Sequence, residues 1–366
     1  MKVAQYFKKS LKLFIKYRIL PEYITFFVTN KCNARCKHCF YWKELNSKTD
    51  ELSLDEIEKI AKSMDDFLFL ILTGGEPFIR EDLAGVAKIF YRYNHVRKMN
   101  IITNGILTDK IIKNMEKIRK HCPELYISLF VSLDDIEEKH DMIRDVKGAY
   151  KNALETIKHL KNLQENYKNL SIGVAMTYSS FNQDKIINNY EYIKKKIRPD
   201  MINCSFVRGD TKDKIAKTCK IDNYVKLQEN IKKDLINREV KGVHDPLISK
   251  FVDASKFECA EQIIKTVKKN KYIIPCYAGK INAVIYPNGD VHPCEMLNKK
   301  MGNLREYKYN FRKLWLAKNS SRIRREIKKS RCYCTHECNM LPNVIYNPRF
   351  SFKIFLNYLK LLFGIK

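Results

Sequence analysis

Long apolar segments are missing from this chain of 366 residues. No stretch of about 18 or more residues is continuously apolar, so the sequence predicts no membrane-spanning helix. The start of the sequence also lacks the uninterrupted apolar core of a secretory signal peptide. From these two absences we expect a cytoplasmic protein.

Acidic residues are few compared with basic ones. The chain has 41 Asp and Glu against 69 Lys and Arg, a formal net charge of +28, and the excess is spread along the sequence. A basic surface attracts nucleic acid, anionic membranes or acidic proteins. A Lys-, Ile- and Asn-rich residue usage imposed by an AT-rich genome explains the charge equally well. Because the sequence has neither a zinc-finger pattern nor an aromatic-rich RNA-binding signature, we do not expect nucleic acid as a partner.

Cysteine, in contrast, is abundant, with 12 residues. In a short secreted chain this number would indicate a disulfide framework, but a large chain without a signal sequence is not of that class. Clustered cysteines in a cytosolic protein favour metal binding instead. With 45% hydrophobic residues, the chain is long enough for a large core and for about two domains.

Short apolar runs alternate with longer periodic segments up to about residue 207. One periodic segment begins at Ser53 and carries Glu56 three residues later, which predicts a capping box at a helix start. Six strands that are each followed by a helix indicate a parallel α/β array, and we expect a partial (β/α)6 barrel with functional groups at the carboxyl ends of its strands. The predicted strands are residues 23–29, 67–72, 98–103, 125–132, 170–177 and 201–207.

The composition changes beyond the barrel. Residues 276–338 contain five of the cysteines and a hairpin pattern, with strands at 281–286 and 291–294 around a Pro-Asn-Gly-Asp turn. This favours a small cysteine-rich C-terminal domain. The expected organisation is a basic amphipathic segment at 1–22, a core at 23–210, a helical connector at 211–270, the cysteine-rich domain at 271–342 and an amphipathic tail at 343–366.

Three cysteines follow the first predicted strand directly. Cys32, Cys36 and Cys39 have the spacing C-x3-C-x2-C. A cubane iron-sulfur cluster takes four ligands, normally thiolates, so three thiolates leave one iron open to a chelating molecule. The alternative is a zinc site with His38 as the fourth ligand, but His38 is adjacent to Cys39 and would close a tetrahedron with difficulty.

This segment resembles the signature of the radical S-adenosylmethionine (SAM) superfamily, and the resemblance covers residues 23–207. It implies that the open iron of a 4Fe-4S cluster binds the amino and carboxylate groups of SAM. An electron from the cluster then splits SAM to give a 5'-deoxyadenosyl radical. His38 stands where the family usually has an aromatic ring near the adenine.

The segment after the second strand is similar to the family's glycine-rich motif, which holds the ammonium group of SAM. It contains Gly74, Gly75, Glu76 and Pro77. Glycines permit close backbone approach, and Glu76 offers a hydrogen-bond acceptor. By itself such a segment would indicate only a turn, but here it lies one βα unit after the cysteines.

Four further residues match family positions near the cofactor. Thr103 and Asn104 follow the third strand, where the family contacts the ribose. Ser132, with Asp134 close behind, ends the fourth strand, and Arg144 lies at another recurring position. Turn chemistry or a helix start explains each of these residues equally well.

A second set of cysteines resembles the opening of the SPASM-type auxiliary-cluster domain. Cys276 is followed by twelve residues, Gly289, four residues and Cys294. The family pattern goes on to C-x2-C-x5-C-x3-C and a last cysteine, which are enough ligands for two auxiliary clusters.

The remainder of that pattern is shortened here to Cys332, Cys334 and Cys338. Because five cysteines cannot complete two four-cysteine clusters, we expect one auxiliary 4Fe-4S cluster. The resemblance assigns Cys276, Cys294 and Cys338 to it, and the fourth ligand is Cys334 or Cys332, with Cys334 slightly preferred for its spacing. A structural zinc on the same thiolates is the alternative.

Both ends of the chain are basic and amphipathic. In residues 350–366, Lys353, Asn357, Lys360 and Gly364 form a polar stripe on an otherwise apolar helix. Residues 3–20 also combine apolar positions with surrounding lysines. Such helices either lie in a membrane interface, making a peripheral contact, or pack against the protein.

Taken with the resemblance, these motifs predict a radical SAM enzyme that takes an electron from a donor such as flavodoxin or ferredoxin. The substrate is a peptide or protein, or a small or carrier-linked molecule, and no residue selects among them or is assigned as the catalytic group. The alternative is a non-catalytic iron-sulfur or redox-sensing protein on the same scaffold. A sensor has no need of an open iron.

Overall fold

The computed structural model describes residues 20–242 and 249–364. The amphipathic segment predicted at the N-terminus therefore lies outside the described residues, except for its last few positions.

One nine-stranded sheet forms the framework of the described residues. Its first six strands pair in parallel in chain order, so their carboxyl ends lie along one edge. The strands are β1 (Tyr23–Thr29), β2 (Phe69–Gly74), β3 (Lys98–Thr103), β4 (Tyr126–Ser132), β5 (Leu170–Tyr178), β6 (Met201–Phe206), β7 (Asn282–Ile285), β8 (Asp290–His292) and β9 (Gly302–Asn303).

Helices follow each of the strands β1 to β6, and further helices lie in the C-terminal region. The helices are α1 (Leu54–Lys62), α2 (Leu83–Tyr93), α3 (Thr108–His121), α4 (Glu138–Arg144), α5 (Ala149–Glu165), α6 (Ile186–Tyr192), α7 (Asp222–Ile236), α8 (Ser249–Lys269), α9 (Phe311–Leu316), α10 (Lys318–Lys329), α11 (Glu337–Ile345) and α12 (Ser351–Phe363).

The six strands predicted for the barrel are all present. Five of them agree with the prediction to within one residue at each end, and β2 begins two residues later and continues to Gly74. The α/β fold with a parallel sheet is thus confirmed. The prediction succeeded because strands buried on both faces form continuous apolar runs, as in β1, where only Tyr23 is not fully buried.

The cysteine-rich region is joined to the barrel sheet, which the sequence did not indicate. The predicted hairpin exists, since β7 and β8 pair antiparallel. In addition, β7 pairs in parallel with β1, with Ile24 opposite Ala283. The hairpin therefore extends the core sheet on the side of β1.

Residues of two C-terminal helices, α8 and α11, line a partly open cavity of about 260 Å³ together with residues of the strands. Thr25 and Ser128 line it from the strands, and Phe257 lines it from α8. Glu337 and Cys338, at the start of α11, also reach it. The chain's own C-terminal region thus forms part of the wall of the barrel interior.

The C-terminal helix α12 packs against α8. Ile354 and Leu361 are buried in this contact, whereas Lys353 is exposed. The predicted apolar helix therefore packs on the protein with at least one face. None of the helices in the two described ranges is long and apolar enough to cross a membrane.

The capping box at the start of α1 is confirmed, and its glutamate also ties this helix to the C-terminal region. The carboxylate of Glu56 accepts hydrogen bonds from the Ser53 backbone (2.8 Å), from the guanidinium of Arg305 (3.0 and 3.2 Å) and from the Tyr309 hydroxyl (2.7 Å). Burial raises the pKa of Glu56, but these donors outweigh burial and lower it to about 2.

We predict that Glu56→Gln lowers the free energy of unfolding by about 1–3 kcal/mol at neutral pH, because hydrogen bonds to a charged group are lost. The folded pKa lies below the usual 4.5, so the stabilisation is present above that value and is lost as pH falls towards 2. Chemical denaturation between pH 3 and 7 should show a weaker pH dependence in the variant. The exposed Glu116→Gln is the control, and equal behaviour of both variants would contradict the prediction.

Candidate metal and cofactor site

The loop that carries Cys32, Cys36 and Cys39 lies at the carboxyl edge of the sheet, directly after β1. Its backbone is fixed from three sides. The Glu76 amide donates to the carbonyl of Lys31 (2.8 Å), the Lys37 amide donates to the carbonyl of Ile143 at the end of α4 (2.9 Å), and the Lys212 amide donates to the carbonyl of Cys39 (3.0 Å). The loop is thus shaped by its neighbours.

The three thiols of this loop are close enough to influence one another. Burial, together with the charges of Cys36, Glu76 and Cys39, raises the pKa of Cys32 to about 12 against a backbone hydrogen bond from Ala34. Burial and Cys36 likewise raise the pKa of Cys39 to about 11. No fourth thiol contributes to either pKa shift. Three thiols that converge in this way match a cluster with one open iron.

Glu76 lies beside the cysteine loop as a buried carboxylate with three donors. It accepts hydrogen bonds from the Phe78 amide (3.2 Å), the Thr103 hydroxyl (2.8 Å) and the Asn104 amide (2.7 Å). Burial raises its pKa to about 7, while these donors oppose the shift. The side chain of Asn104 donates a hydrogen bond to Asn33, which lies between Cys32 and Cys36 (2.7 Å). The segments that follow β1, β2 and β3 therefore share one hydrogen-bond network.

A second network joins Arg144 to the cysteine loop. The guanidinium lies 2.6 Å from the Asp134 carboxylate and donates to the Cys36 sulfur at 3.6 Å. Burial raises the pKa of Asp134, but Arg144 outweighs burial, and the net shift is downward. Burial lowers the pKa of Arg144, but Asp134 and Cys36 raise it more. Both groups are therefore charged at neutral pH.

His38 is buried next to this ion pair. Its Nε2 is 3.8 Å from Asp134, too far for a hydrogen bond, and burial lowers its pKa to about 4, so the ring is neutral at pH 7. The Nδ1 atom of His38 has no hydrogen-bond partner within the described part of the chain. A buried ring with a free polar atom beside the thiols suits contact with a further polar group.

The two glycines before Glu76 are required by close backbone contact. A Cβ on Gly75 would lie 2.1 Å from the Lys31 carbonyl oxygen, and one on Gly74, where φ is +142°, would lie 2.3 Å from that of Thr29. Pro77 begins the short helical turn after them, and Ser132 is buried at the end of β4. All nine residues predicted to bind SAM thus lie at or beside the strand ends around the cysteine loop.

The second set of cysteines converges next to the β7–β8 hairpin. A hydrogen bond from Cys332 lowers the pKa of Cys276 to about 7, against burial. The same bond raises the pKa of Cys332, with further contributions from burial and from the charges of Cys276, Cys334 and Cys294. Four thiols thus occupy one region, and the choice between Cys332 and Cys334 as cluster ligand stays a prediction.

Cys338 has a different environment. Burial raises its pKa to about 12, and the carboxylates of Glu295 and Glu337 add to the shift. Its sulfur, a Glu295 oxygen and a nitrogen of His336 all lie within 4.8 Å of one another, and Glu295 and His336 are in direct contact. The sequence motifs do not identify Glu295 or His336. Glu295 directly follows Cys294, and His336 lies between Cys334 and Cys338, so their positions next to cysteines were the available signal.

Four further cysteines have no assigned role, although Cys259, whose pKa burial raises, is close enough to Cys338 and Cys334 for their charges to raise that pKa further. Cys122 and Cys259 belong to the buried core, and burial raises their pKa values. Cys204 is also buried, and Cys219 packs on the core while partly exposed. We assign them no ligand role.

Family models match the chain in both of these regions. Residues 26–193 match the radical SAM superfamily, and residues 276–339 match the SPASM iron-sulfur cluster-binding domain. This chain carries a radical SAM domain and a SPASM domain. The first domain contains the cysteine loop, Glu76 and Arg144, and the second contains the five C-terminal cysteines.

Curated relatives agree with this assignment. The chain is 25% identical over 338 residues to the antilisterial bacteriocin subtilosin biosynthesis protein AlbA of Bacillus subtilis, covering 87% of this chain and 66% of AlbA. It is 30% identical over 174 residues to the Fe-coproporphyrin III synthase of Methanosarcina barkeri, covering 47% of this chain and 41% of the synthase. The chain thus spans less than two thirds of these relatives.

Solved structures share the fold. Streptococcus suis SuiB bound to S-adenosylmethionine has a TM-score of 0.61 at 17% identity, with 87% of this chain and 72% of SuiB covered. The protein anSMEcpe, with bound AdoMet and the Cp18Cys peptide, has a TM-score of 0.59 at 17% identity, with 87% and 85% covered. Identities this low establish only the common architecture.

The two domains imply a 4Fe-4S cluster with SAM at the first site and auxiliary iron-sulfur chemistry at the second. The donor sets fit these groups. Three thiols converge on one loop beside a buried carboxylate and the unpartnered Nδ1 of His38, and the SPASM region supplies several thiols in one place.

We predict that Arg144→Ala lowers the free energy of unfolding by about 3–5 kcal/mol, because it leaves Asp134 buried and charged without its cation. Chemical denaturation of the purified chain measures the change. Arg119→Ala is the matched control, since Arg119 is exposed and makes one hydrogen bond to the Asn166 carbonyl. A loss of under about 1 kcal/mol in the Arg144 variant, similar to the control, would show that the pair contributes little.

Proposed function

We propose that this chain is a radical SAM enzyme whose cluster is held by Cys32, Cys36 and Cys39. The observation that carries the proposal is the convergence of these three thiols at the carboxyl edge of the sheet, beside Glu76, within a matched radical SAM domain. The cluster, when bound, supplies the electron that splits SAM into methionine and a 5'-deoxyadenosyl radical.

The chain's own residues bind and orient the cofactor. Glu76 accepts hydrogen bonds from the SAM ammonium group, and the missing side chains at Gly74 and Gly75 keep the Glu76 backbone close to the cysteine loop. His38 contacts the adenine, and Arg144 holds Cys36 in place through its hydrogen bond to sulfur. Pro77, Thr103, Asn104 and Ser132 complete the proposed SAM-binding set.

We propose a peptide as the substrate, the class named for three of the similar proteins, whereas the Fe-coproporphyrin III synthase is named for a porphyrin. SuiB was solved with its precursor peptide SuiA, anSMEcpe with a peptide, and AlbA serves in the biosynthesis of a bacteriocin. The cavity inside the barrel offers a mixed lining of apolar side chains and of Glu295, Glu337 and Asn203.

We further propose one auxiliary 4Fe-4S cluster in the SPASM region, on Cys276, Cys294, Cys338 and either Cys334 or Cys332. A small reduced protein of the flavodoxin or ferredoxin type would supply electrons in the cytoplasm, and the net charge of +28 would attract an acidic donor. We also propose the domain limits 23–210 for the core, 211–270 for the connector, 271–342 for the cysteine-rich domain and 343–366 for the tail.

Anaerobically reconstituted protein should cleave SAM to 5'-deoxyadenosine when given a strong reductant. Replacing Cys32, Cys36 and Cys39 together with Ala should reduce product to background, because the cluster loses its thiolates. Cys219→Ala, a thiol outside both groups, should keep wild-type turnover. Product formation is measured by chromatography. Undiminished cleavage by the triple variant would refute the proposed site. The absence of cleavage by intact, iron-loaded protein would favour the alternative of a non-catalytic iron-sulfur or redox-sensing protein.

The iron content of reconstituted protein should be about eight atoms per chain, because two four-iron clusters are expected. The triple variant should keep about half, since the SPASM cysteines are intact. Iron and zinc are measured by elemental analysis, and the absorbance of the thiolate-to-iron charge-transfer bands is the second readout. About four iron atoms together with one zinc per chain in the wild type would replace the auxiliary cluster by a zinc site.

A further inference from the structure

The C-terminal helix α12 has two apolar faces on opposite sides. Residues of an α-helix are about 100° apart, so Ile354 and Leu361 share one face, and Phe352, Leu356 and Phe363 share the opposite one. Ile354 and Leu361 are 2% and 5% exposed and pack towards α8. Intramolecular packing therefore accounts for one apolar face of this helix and leaves the other unexplained.

The second face is exposed at both ends of the helix, with Leu359 half-buried between them. Phe352, Phe355, Leu356 and Phe363, here called the outer stripe, are 71%, 54%, 43% and 68% exposed. Within the described ranges, eight large hydrophobic side chains are exposed, and half of them belong to this one helix of 13 residues. Single exposed apolar residues are ordinary, but a contiguous stripe with three phenylalanines marks an interaction surface.

The charged residues on α12 and in its flanking segments are all basic. Residues 338–366 contain four Lys and Arg and no Asp or Glu. Lys353 is already engaged with Glu261 on α8 (3.4 Å), whereas Lys360 lies on the flank between the two apolar faces. Arg238, which donates to the Leu362 carbonyl at 3.4 Å, brings a further positive charge to the end of the helix. The surface therefore suits an anionic partner.

We propose that α12 docks the protein on an anionic lipid surface, with the outer stripe in the boundary between headgroups and acyl chains. A helix of 13 residues is about 20 Å long, too short to cross a hydrocarbon core of about 30 Å, but it can lie flat with its outer face buried by about 5–10 Å. Arg349, Lys360 and Arg238 then contact lipid headgroups. Aromatic rings flanked by lysines, without an acidic residue, are typical of interfacial helices.

The test is co-sedimentation of the full chain with vesicles of phosphatidylcholine, with and without phosphatidylglycerol. Wild-type protein should bind the anionic vesicles and lose binding as salt increases. The variant Phe352→Gln/Phe355→Gln/Phe363→Gln should bind more than about tenfold more weakly, because each ring loses its burial in lipid. Met142→Gln, an exposed hydrophobic residue on α4, should leave binding unchanged.

A second variant separates charge from apolar burial. Arg349→Gln/Lys360→Gln keeps the outer stripe and the Lys353–Glu261 pair, and should weaken binding to anionic vesicles by about fivefold for each charge removed. Substitution is preferable to truncation, because deleting α12 would also uncover the surface of α8 on which Ile354 and Leu361 pack.

Three results would overturn the proposal. The first is equal sedimentation of the wild type and the phenylalanine variant, and the second is the absence of wild-type binding to anionic vesicles at low salt. The third is a wild-type dimer in light scattering that becomes monomeric in the phenylalanine variant, since the outer stripe would then bind a second copy. SAM cleavage by the phenylalanine variant in solution should match that of the wild type. Lipid docking and SAM cleavage are thus measured separately, and failure of one proposal can be distinguished from failure of the other.

Discussion

Close contact between two backbone segments holds the first site together. The Lys31 carbonyl oxygen lies 2.1 Å from where a Cβ of residue 75 would stand, and the amides of Gly75 and Glu76 donate to the carbonyls of Thr29 and Lys31. The cysteine loop is thus attached to the end of the neighbouring strand without any intervening side chain. This contact fixes the distance between the thiols and the Glu76 carboxylate, because both are carried by the segments that meet there.

Buried carboxylates are the second constraint, and the fold meets it with hydrogen bonds at Glu76 and with an ion pair at Asp134. Glu76 is fully buried, and two of its three donors, on Thr103 and Asn104, connect the carboxyl end of β3 to the segment after β2. Asp134 is satisfied by Arg144 and by the Thr177 amide at 2.7 Å. An unpaired carboxylate at either position would cost several kcal/mol, so the same groups that shape the site also contribute to stability. Loss of one partner would therefore perturb the whole edge of the sheet.

The sequence predicted the barrel strands and most of the site because both depend on local patterns. Runs of apolar residues define buried parallel strands, and Cys, Gly and Glu at fixed spacings identify the loop that follows each strand. The pairing of β7 with β1 could not be predicted in this way, since it joins residues about 260 positions apart. The contributions of Asn33, Glu295 and His336 were missed for a similar reason, as each acts through a contact made by tertiary packing. On α12 the sequence showed a polar stripe, but only the packing on α8 distinguishes its inner from its outer apolar face.

The pairing of β7 with β1 also relates the two cysteine groups to one another. β1 leads directly into the loop with Cys32, and β7 leads through β8 to Cys294, so neighbouring strands of one sheet carry both. Aromatic packing reinforces this junction, with Tyr286 stacked on Tyr41 at 5.8 Å and tilted against Phe27 at 4.9 Å. Because a hydrogen-bonded sheet resists sliding of its strands, neither group can shift along its strand without breaking the register of the other. The relative position of the two groups is therefore a property of the core sheet and does not depend on a flexible linker between domains.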